Sequence, residues 1–280
     1  MIPPTGIHSI PDRAYFAIDL PSSSQTKTLI DGTNAHLAHE RENPREESDA
    51  FAIGAWVHAR LLAPATVEDA FIVTGKIDRR TTEGKAEHAA ITKRASLTGA
   101  RIITSDQVAE AERMVTAVRE NTDAARLLNT LTMREITVIG EIGGKPAKAK
   151  LDGVIALAGA SIIVDIKTTQ SADPREFAKS AATFGYYHQA AWYARLLNQV
   201  AAPVDDFVII AVEKAAPYLC AVYRIPTVAM VAADVRLEEL AARWWAGWWA
   251  VQGGDRTGYA GGIAELAPPA WWLNAQGGLL

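Results

Sequence analysis

Three stretches between residues 135 and 168 constrain the fold more than any other part of the chain. Glu135 to Ile142 (EITVIGEI) alternates apolar and polar residues, as a half-buried strand does. Gly143-Gly144 supplies a hairpin-type turn, and Lys148 to Leu157 (KAKLDGVIAL) reads as the next strand. Gly159 and Ala160 turn the chain again, and Ser161 to Thr168 (SIIVDIKT) reads as a third strand, apolar on entry. Helical signals flank this meander. Ser22, Ser23 and Ser24 precede a helical stretch, where serine is a natural N-cap. Ser48 to Leu62 places Phe51, Ala55, His58 and Leu62 on one helix face, and Pro64 ends it. Residues 105–129 read as one long helix. Residues 174–198 read as another, opened by Asp173 and Pro174. Val208 to Val212 and Leu219 to Ile225 read as strands, and 227–251 as a helix ending at Gly253-Gly254. Residues 1–20 read as irregular, and Pro44 interrupts the polar stretch 34–47.

This order predicts one α/β domain over residues 1–254. A helical lobe (about 1–130) precedes a mixed-sheet core (about 131–254), and a tail rich in Gly, Ala and Pro follows (255–280). At 280 residues and 49% apolar composition a sizeable core is available. No apolar run is long enough to cross a membrane, and the N-terminus lacks the pattern of a secretory signal. Cys220 is the only cysteine, which excludes an intrachain disulfide and a cysteine-based zinc site. The cytoplasm is the expected compartment.

Net charge is -4, so bulk charge does not advertise nucleic acid. The distribution is uneven. Residues 75–101 hold seven Lys/Arg against three Asp/Glu, whereas residues 1–50 hold four against eight. The basic segment, with Lys76, Arg79, Arg80 and Lys85, is either a phosphate-contacting patch or a solvated loop and helix face.

The chemistry concentrates at Asp165-Ile166-Lys167. In a strand, Asp165 and Lys167 project together while Ile166 faces the other way. An acid-x-Lys pattern alone is weak: it occurs again at Glu83-Gly84-Lys85. Context discriminates. Asp152 lies thirteen residues upstream in the preceding strand, and a tight turn makes the two strands antiparallel neighbours. Two carboxylates held close repel unless a cation lies between them, and Mg²⁺ or Mn²⁺ suits such oxygen ligands. The plainer alternative is a surface hairpin with a salt-bridged lysine.

Asp152 followed by Asp165-x-Lys167 on consecutive strands resembles the PD-(D/E)XK nuclease superfamily, and further segments resemble its RecE-type exonucleases (exonuclease VIII) and phage relatives. Gly54-Ala55-Trp56-Val57-His58, with Leu61-Leu62-Ala63-Pro64, is similar to that branch's G-x-x-x-H-x-x-L-L-x-P segment. Arg80 to Lys85 is similar to its R-T-x-x-G-K stretch. Tyr186 to Tyr193 is similar to its G-Y-x-x-Q-A-x-x-Y helix, and Ser22-Ser23-Ser24 with Lys27 to its opening. The resemblance runs from about residue 10 to 225. It departs at Leu151, where the superfamily's name has proline.

The resemblance implies a nuclease core, a mixed central sheet flanked by helices. It implies Mg²⁺ (with Mn²⁺ substituting), held by His58, Asp152, Asp165 and the carbonyl of Ile166, with Lys167 activating water. It makes Glu135 an active-site acid, where the residues alone also allow a pair with Lys148 or Lys150. It brings Gln189 and Tyr193 to the border of the site, where packing is the alternative. Lys150, Tyr186, Arg79, Arg80 and Lys85 become DNA contacts. The implied activity is 5′ to 3′ exonucleolysis from double-stranded DNA ends, leaving 3′ strands for phage-type recombination. A homo-oligomer and a single-strand annealing partner are implied with it. A structure- or site-specific endonuclease and an idle DNA-binding scaffold are the alternatives. The run Arg243 to Trp249 reads as a helix packed on the sheet, and Trp271-Trp272 as a docking segment.

Overall fold

The computed structural model describes residues 2–43, 49–78, 80–248 and, in the tail, 258–259, 261–263, 265–269 and 272–273. Expectations for Pro44, Arg79, Trp249, Trp271, the Gly253-Gly254 helix end and most of the tail fall outside the described residues.

The chain opens with a short strand, β1 (Gly6–His8), and four helices: α1 (Asp12–Ala17), α2 (Ser23–Asp31), α3 (Asn34–Glu42) and α4 (Asp49–Leu62). Then come α5 (Val67–Ala70), β2 (Phe71–Thr74), α6 (Thr82–Thr98) and β3 (Arg101–Thr104), followed by α7 (Ser105–Glu120) and α8 (Thr122–Thr130). The meander is β4 (Met133–Ile142), β5 (Lys145–Leu157) and β6 (Ala160–Thr169). Helices α9 (Pro174–Thr183) and α10 (Tyr186–Leu197) cross to β7 (Val204–Glu213), and β8 (Cys220–Arg224), α11 (Thr227–Asp234) and α12 (Leu237–Trp248) complete the chain.

Six strands form one sheet in the order β1-β4-β5-β6-β7-β8, with β6 and β7 parallel and the other neighbours antiparallel. A parallel pair needs a crossover, which α9 and α10 provide. Both faces are covered. Trp192, Leu196, Phe207 and Leu237 belong to one core, and Val57, Leu61, Met114, Ile166 and Ile210 to the other. The expected mixed sheet flanked by helices is therefore present.

Several boundaries differ from expectation for local reasons. The helix expected over 105–129 breaks at Asn121, whose side chain accepts from Ala124 N and starts α8. The helix expected over 174–198 breaks at Gly185, which adopts φ 71, a left-handed conformation that glycine takes without strain. The helix expected over 227–251 breaks between Asp234 and Leu237. Residues 1–20 are not irregular: β1 pairs with β4, so the N-terminal lobe contributes a strand to the main sheet. The second turn uses Ala158-Gly159, one residue earlier than expected.

The sheet also forks. Pairs between β5 and β6 run from Leu157/Ala160 to Gly153/Val164 and end there, while β4–β5 pairing continues to Lys145 and β6–β7 pairing to Thr169. Backbone donors released at such a divergence need new partners. Ile166 N donates to the Asp152 carboxylate at 2.8 Å, and Lys148 N donates to Pro21 O at 2.9 Å. Asp152 thus sits at the crotch of the fork, and the segment around residues 12–22 lines its opening.

Candidate active site

The register makes a row of acids. Arg134 lies opposite Gly153 and Ile136 opposite Leu151, so Glu135 faces Asp152; Gly153 lies opposite Val164, so Asp165 comes next in line. The alternation of core-facing residues slips at this row. On β5 the core takes Ala147, Ala149 and Leu151, then Val154; on β4 it takes Ile136 and Val138, with Met133 packed beside them. Glu135 absorbs the slip with φ 48, strained backbone for a residue with a side chain.

Helix α4 brings His58 over the fork, with Nδ1 3.4 Å from Asp152 Oδ2. His58, Glu135 and Asp152 each offer a ligand atom, all within 4.8 Å of one another, and among the described residues they are the one such group of three. Asp165 is 2% exposed; it pairs with Lys167 and accepts from Gln189 Nε2 at 3.0 Å. The Lys167 ammonium lies 5.1 Å from the centroid of the Tyr186 ring, and Tyr193 shares a hydrogen bond with Gln189. Helix α10 therefore steadies the Asp165–Lys167 pair while α4 supplies the imidazole.

Burial and neighbouring charge perturb every group here. Burial, then the Asp152 charge, pushes Glu135 up to about 7. Burial raises Asp165 to about 6 against the pull of Lys167, and Asp152 adds to the rise. Burial works to lower His58, but the Asp152 carboxylate outweighs it and the imidazole rises to about 9. Burial opposes the charge on Asp152 as well, and His58 and Lys167 overcome it, so its pKa falls. For Lys167 burial is outweighed by Asp165 and Asp152, and its pKa rises. Beyond burial, the Asp152 charge raises both Glu135 and Asp165, a repulsion that a divalent cation among the three acids would relieve.

Of the ligands expected from the sequence, His58 and Asp152 fall in the triad. Glu135 joins them, and Asp165 faces Lys167 and Gln189. The contact that Ile166 makes to this cluster is its N–H on Asp152. Lys150 pairs with Asp12 and lies 3.5 Å from Glu135. Asp12 also reaches Arg101 at 3.3 Å; burial would raise its carboxyl, but Lys150 and Arg101 outweigh that and lower it. Asp12 carries no sequence signal, and Arg101 closes the basic segment 75–101 with nothing in the sequence to bring it to this site; both arrive by tertiary contact. Away from the cluster, Lys76 and Lys85 are exposed, and the Arg80 side chain is 95% exposed and 3.5 Å from Asp78. Trp244 is fully buried with Leu29 of α2, Leu37 of α3 and Leu240, while Leu237 and Ala241 pack α12 into the core on the sheet, as expected for this helix.

Residues 22–264 match the family model of a PDDEXK-like domain of unknown function, DUF3799. The chain belongs to that family. The mixed sheet flanked by helices is thus the PDDEXK-like fold of that family. A crystal structure described as "Putative exonuclease" from Eubacterium rectale aligns at TM-score 0.61 and 15% identity, covering 97% of this chain and 100% of that chain. At that identity the likeness shows a shared fold. SSO0001 aligns at TM-score 0.27 with 15% identity over 72% of this chain and 82% of that one, too low to argue from. No curated protein matches the chain. No helix among the described residues is long and apolar enough to cross a membrane.

Proposed function

We propose that this DUF3799 protein is a metal-dependent deoxyribonuclease of the RecE type. It hydrolyses phosphodiester bonds from double-stranded DNA ends, 5′ to 3′, and leaves 3′ single strands for recombination. The observation that carries the reading is the convergence of His58, Glu135 and Asp152 beside the Asp165–Lys167 pair at the sheet fork. The donor set fits a divalent ion: one imidazole and two carboxylates within 4.8 Å, with the acids repelling one another until a cation joins them.

His58, Glu135 and Asp152 would hold Mg²⁺ or Mn²⁺, with Asp165 near enough in the row to join. The bound ion supplies positive charge at the phosphate and lowers the pKa of water. Lys167 orients the attacking water and steadies charge on the phosphate. Gln189 fixes Asp165, and Tyr186 and Tyr193 hold Lys167 and Gln189 in turn. Lys150 contacts a neighbouring phosphate once Asp12 releases it. The polarity, the recombination role, the annealing partner and an oligomeric assembly rest on the RecE-type resemblance.

Incubating linear and closed-circular plasmid with the purified protein and Mg²⁺ or Mn²⁺ tests the reading. Loss of linear DNA from its ends, with circles intact and EDTA blocking the loss, is expected. Nicked circles would make it an endonuclease, and no turnover with either metal would leave only a DNA-binding scaffold.

A further inference from the structure

Phe184 is a half-exposed aromatic ring set beside the site by the break between α9 and α10. The chain leaves α9 at Phe184 and turns through Gly185 in the left-handed region, so the ring projects off the end of α9 with 52% exposure. A single exposed phenylalanine is ordinary. This one differs in its neighbours. Its centroid is 6.0 Å from that of Tyr186 at an interplanar angle of 33°, and Tyr186 underlies the Lys167 ammonium. The Lys27 ammonium from α2 stands 5.1 Å from the Phe184 centroid. Two lysines and two rings therefore form a continuous chain outward from the catalytic pair.

An aromatic face with an ammonium beside it is the chemistry that takes a nucleotide: the ring stacks on the base and the lysine meets the phosphate. Every base has a π-face, so such a platform grips without reading sequence. We propose that Phe184, with Lys27, is a base-stacking subsite that holds an unpaired nucleotide next to the scissile phosphate. This deepens the nuclease reading and rests on it. A base inside a duplex is already stacked, so the platform selects a strand whose end has frayed open.

The test compares a thymidine oligonucleotide with an abasic backbone of equal length, by fluorescence anisotropy in EDTA, so that cleavage plays no part. Wild type is expected to prefer the thymidine strand at least about fivefold, the lower range for one stacked base. Phe184→Ala should abolish that preference while leaving abasic binding unchanged, and Phe184→Trp should restore it. Thermal melting confirms that each variant is folded. An unchanged preference in Phe184→Ala overturns the proposal. So does equal loss on both strands, or failure of wild type to bind either. If Phe184→Ala instead alters the oligomeric state with the preference intact, the ring belongs to a protein interface and the proposal fails. Base preference without Mn²⁺-dependent cleavage would keep the subsite and remove the nuclease reading; cleavage without base preference would do the reverse.

Discussion

Strand β5 carries two buried polar clusters a few residues apart, and they are built on opposite terms. At Lys148 the ammonium donates to Tyr15 O at 2.9 Å and Ile18 O at 2.6 Å, and it lies 4.4 Å from the Tyr15 centroid. Trp192 Nε1 donates to Lys148 O at 3.0 Å, and the ring of His188 lies against that indole while its Nε2 meets Thr26 Oγ1 at 2.9 Å. One cation meets neutral acceptors, each hydrogen-bonded, and the cluster clamps α1 and α2 onto the sheet. At Asp152 the neighbours are other ionisable groups: the acids Glu135 and Asp165, the His58 imidazole and Lys167, with Lys150 3.5 Å from Glu135. The first cluster seats its one cation on neutral acceptors, and the second crowds carboxylates whose charges repel. Burial alone is a weak pointer to function; crowded like charge is a stronger one.

The comparison breaks most visibly by mutation. Asp165→Ala or Lys167→Ala should abolish DNA hydrolysis with the fold intact, as read by gel assay and circular dichroism. Removing Asp165 also relieves repulsion on Asp152, so the variant should melt no lower than wild type; normal turnover by either variant would refute the assignment. Lys148→Met should do the converse. It strips the donor from two buried carbonyls and should lower unfolding free energy by about 2–4 kcal/mol. Urea titration measures this, and Mn²⁺ binding by the folded fraction should be unchanged.

Acidity sharpens the contrast. Burial lowers His188 to about 4, with Arg236 adding to it, so the imidazole folds neutral. The unfolded chain binds its proton near pH 6.5, and the folded chain only near 4. The stability from this group is therefore complete above pH 6.5 and is lost as pH falls toward 4, by about 3 kcal/mol in all. His188→Asn should flatten that part of the stability curve in thermal melts taken at stepped pH.

The smallest effect lies outside both clusters. Replacing Arg79 and Arg80 with alanine should weaken DNA binding and shrink the slope of log affinity against log salt by up to about 1.8, two phosphate contacts' worth. Unchanged affinity and slope would make the segment a solvated surface.

The strands at 135–168 are legible in the chain because alternation and glycine turns are local signals. Asp152, Asp165 and Lys167 are legible for the same reason, since a tight turn forces the two carboxylates together. His58 reads from its helix face as an apolar packing residue, and only family resemblance made it a ligand. The helix breaks at Asn121 and Gly185 are not legible because an asparagine or glycine inside a periodic stretch need not end a helix, and the third, at Val235-Arg236, holds no breaker residue.

What the sequence determined by itself is the order of elements and the side chains the meander must juxtapose, because hydrogen-bond ladders and period-two faces are properties of neighbouring residues. The tertiary structure alone decided that β5 and β6 part at Asp152 and that Glu135 twists into line with it. It also decided that Asp12 joins Lys150 to Arg101 and that Lys148 serves packing while Lys167 serves the acids. Each of these depends on which charges are buried together. Burial is set by helices far off in the chain, such as α1, whose Asp12 lies 138 residues from Lys150, and they dock on the sheet from both faces.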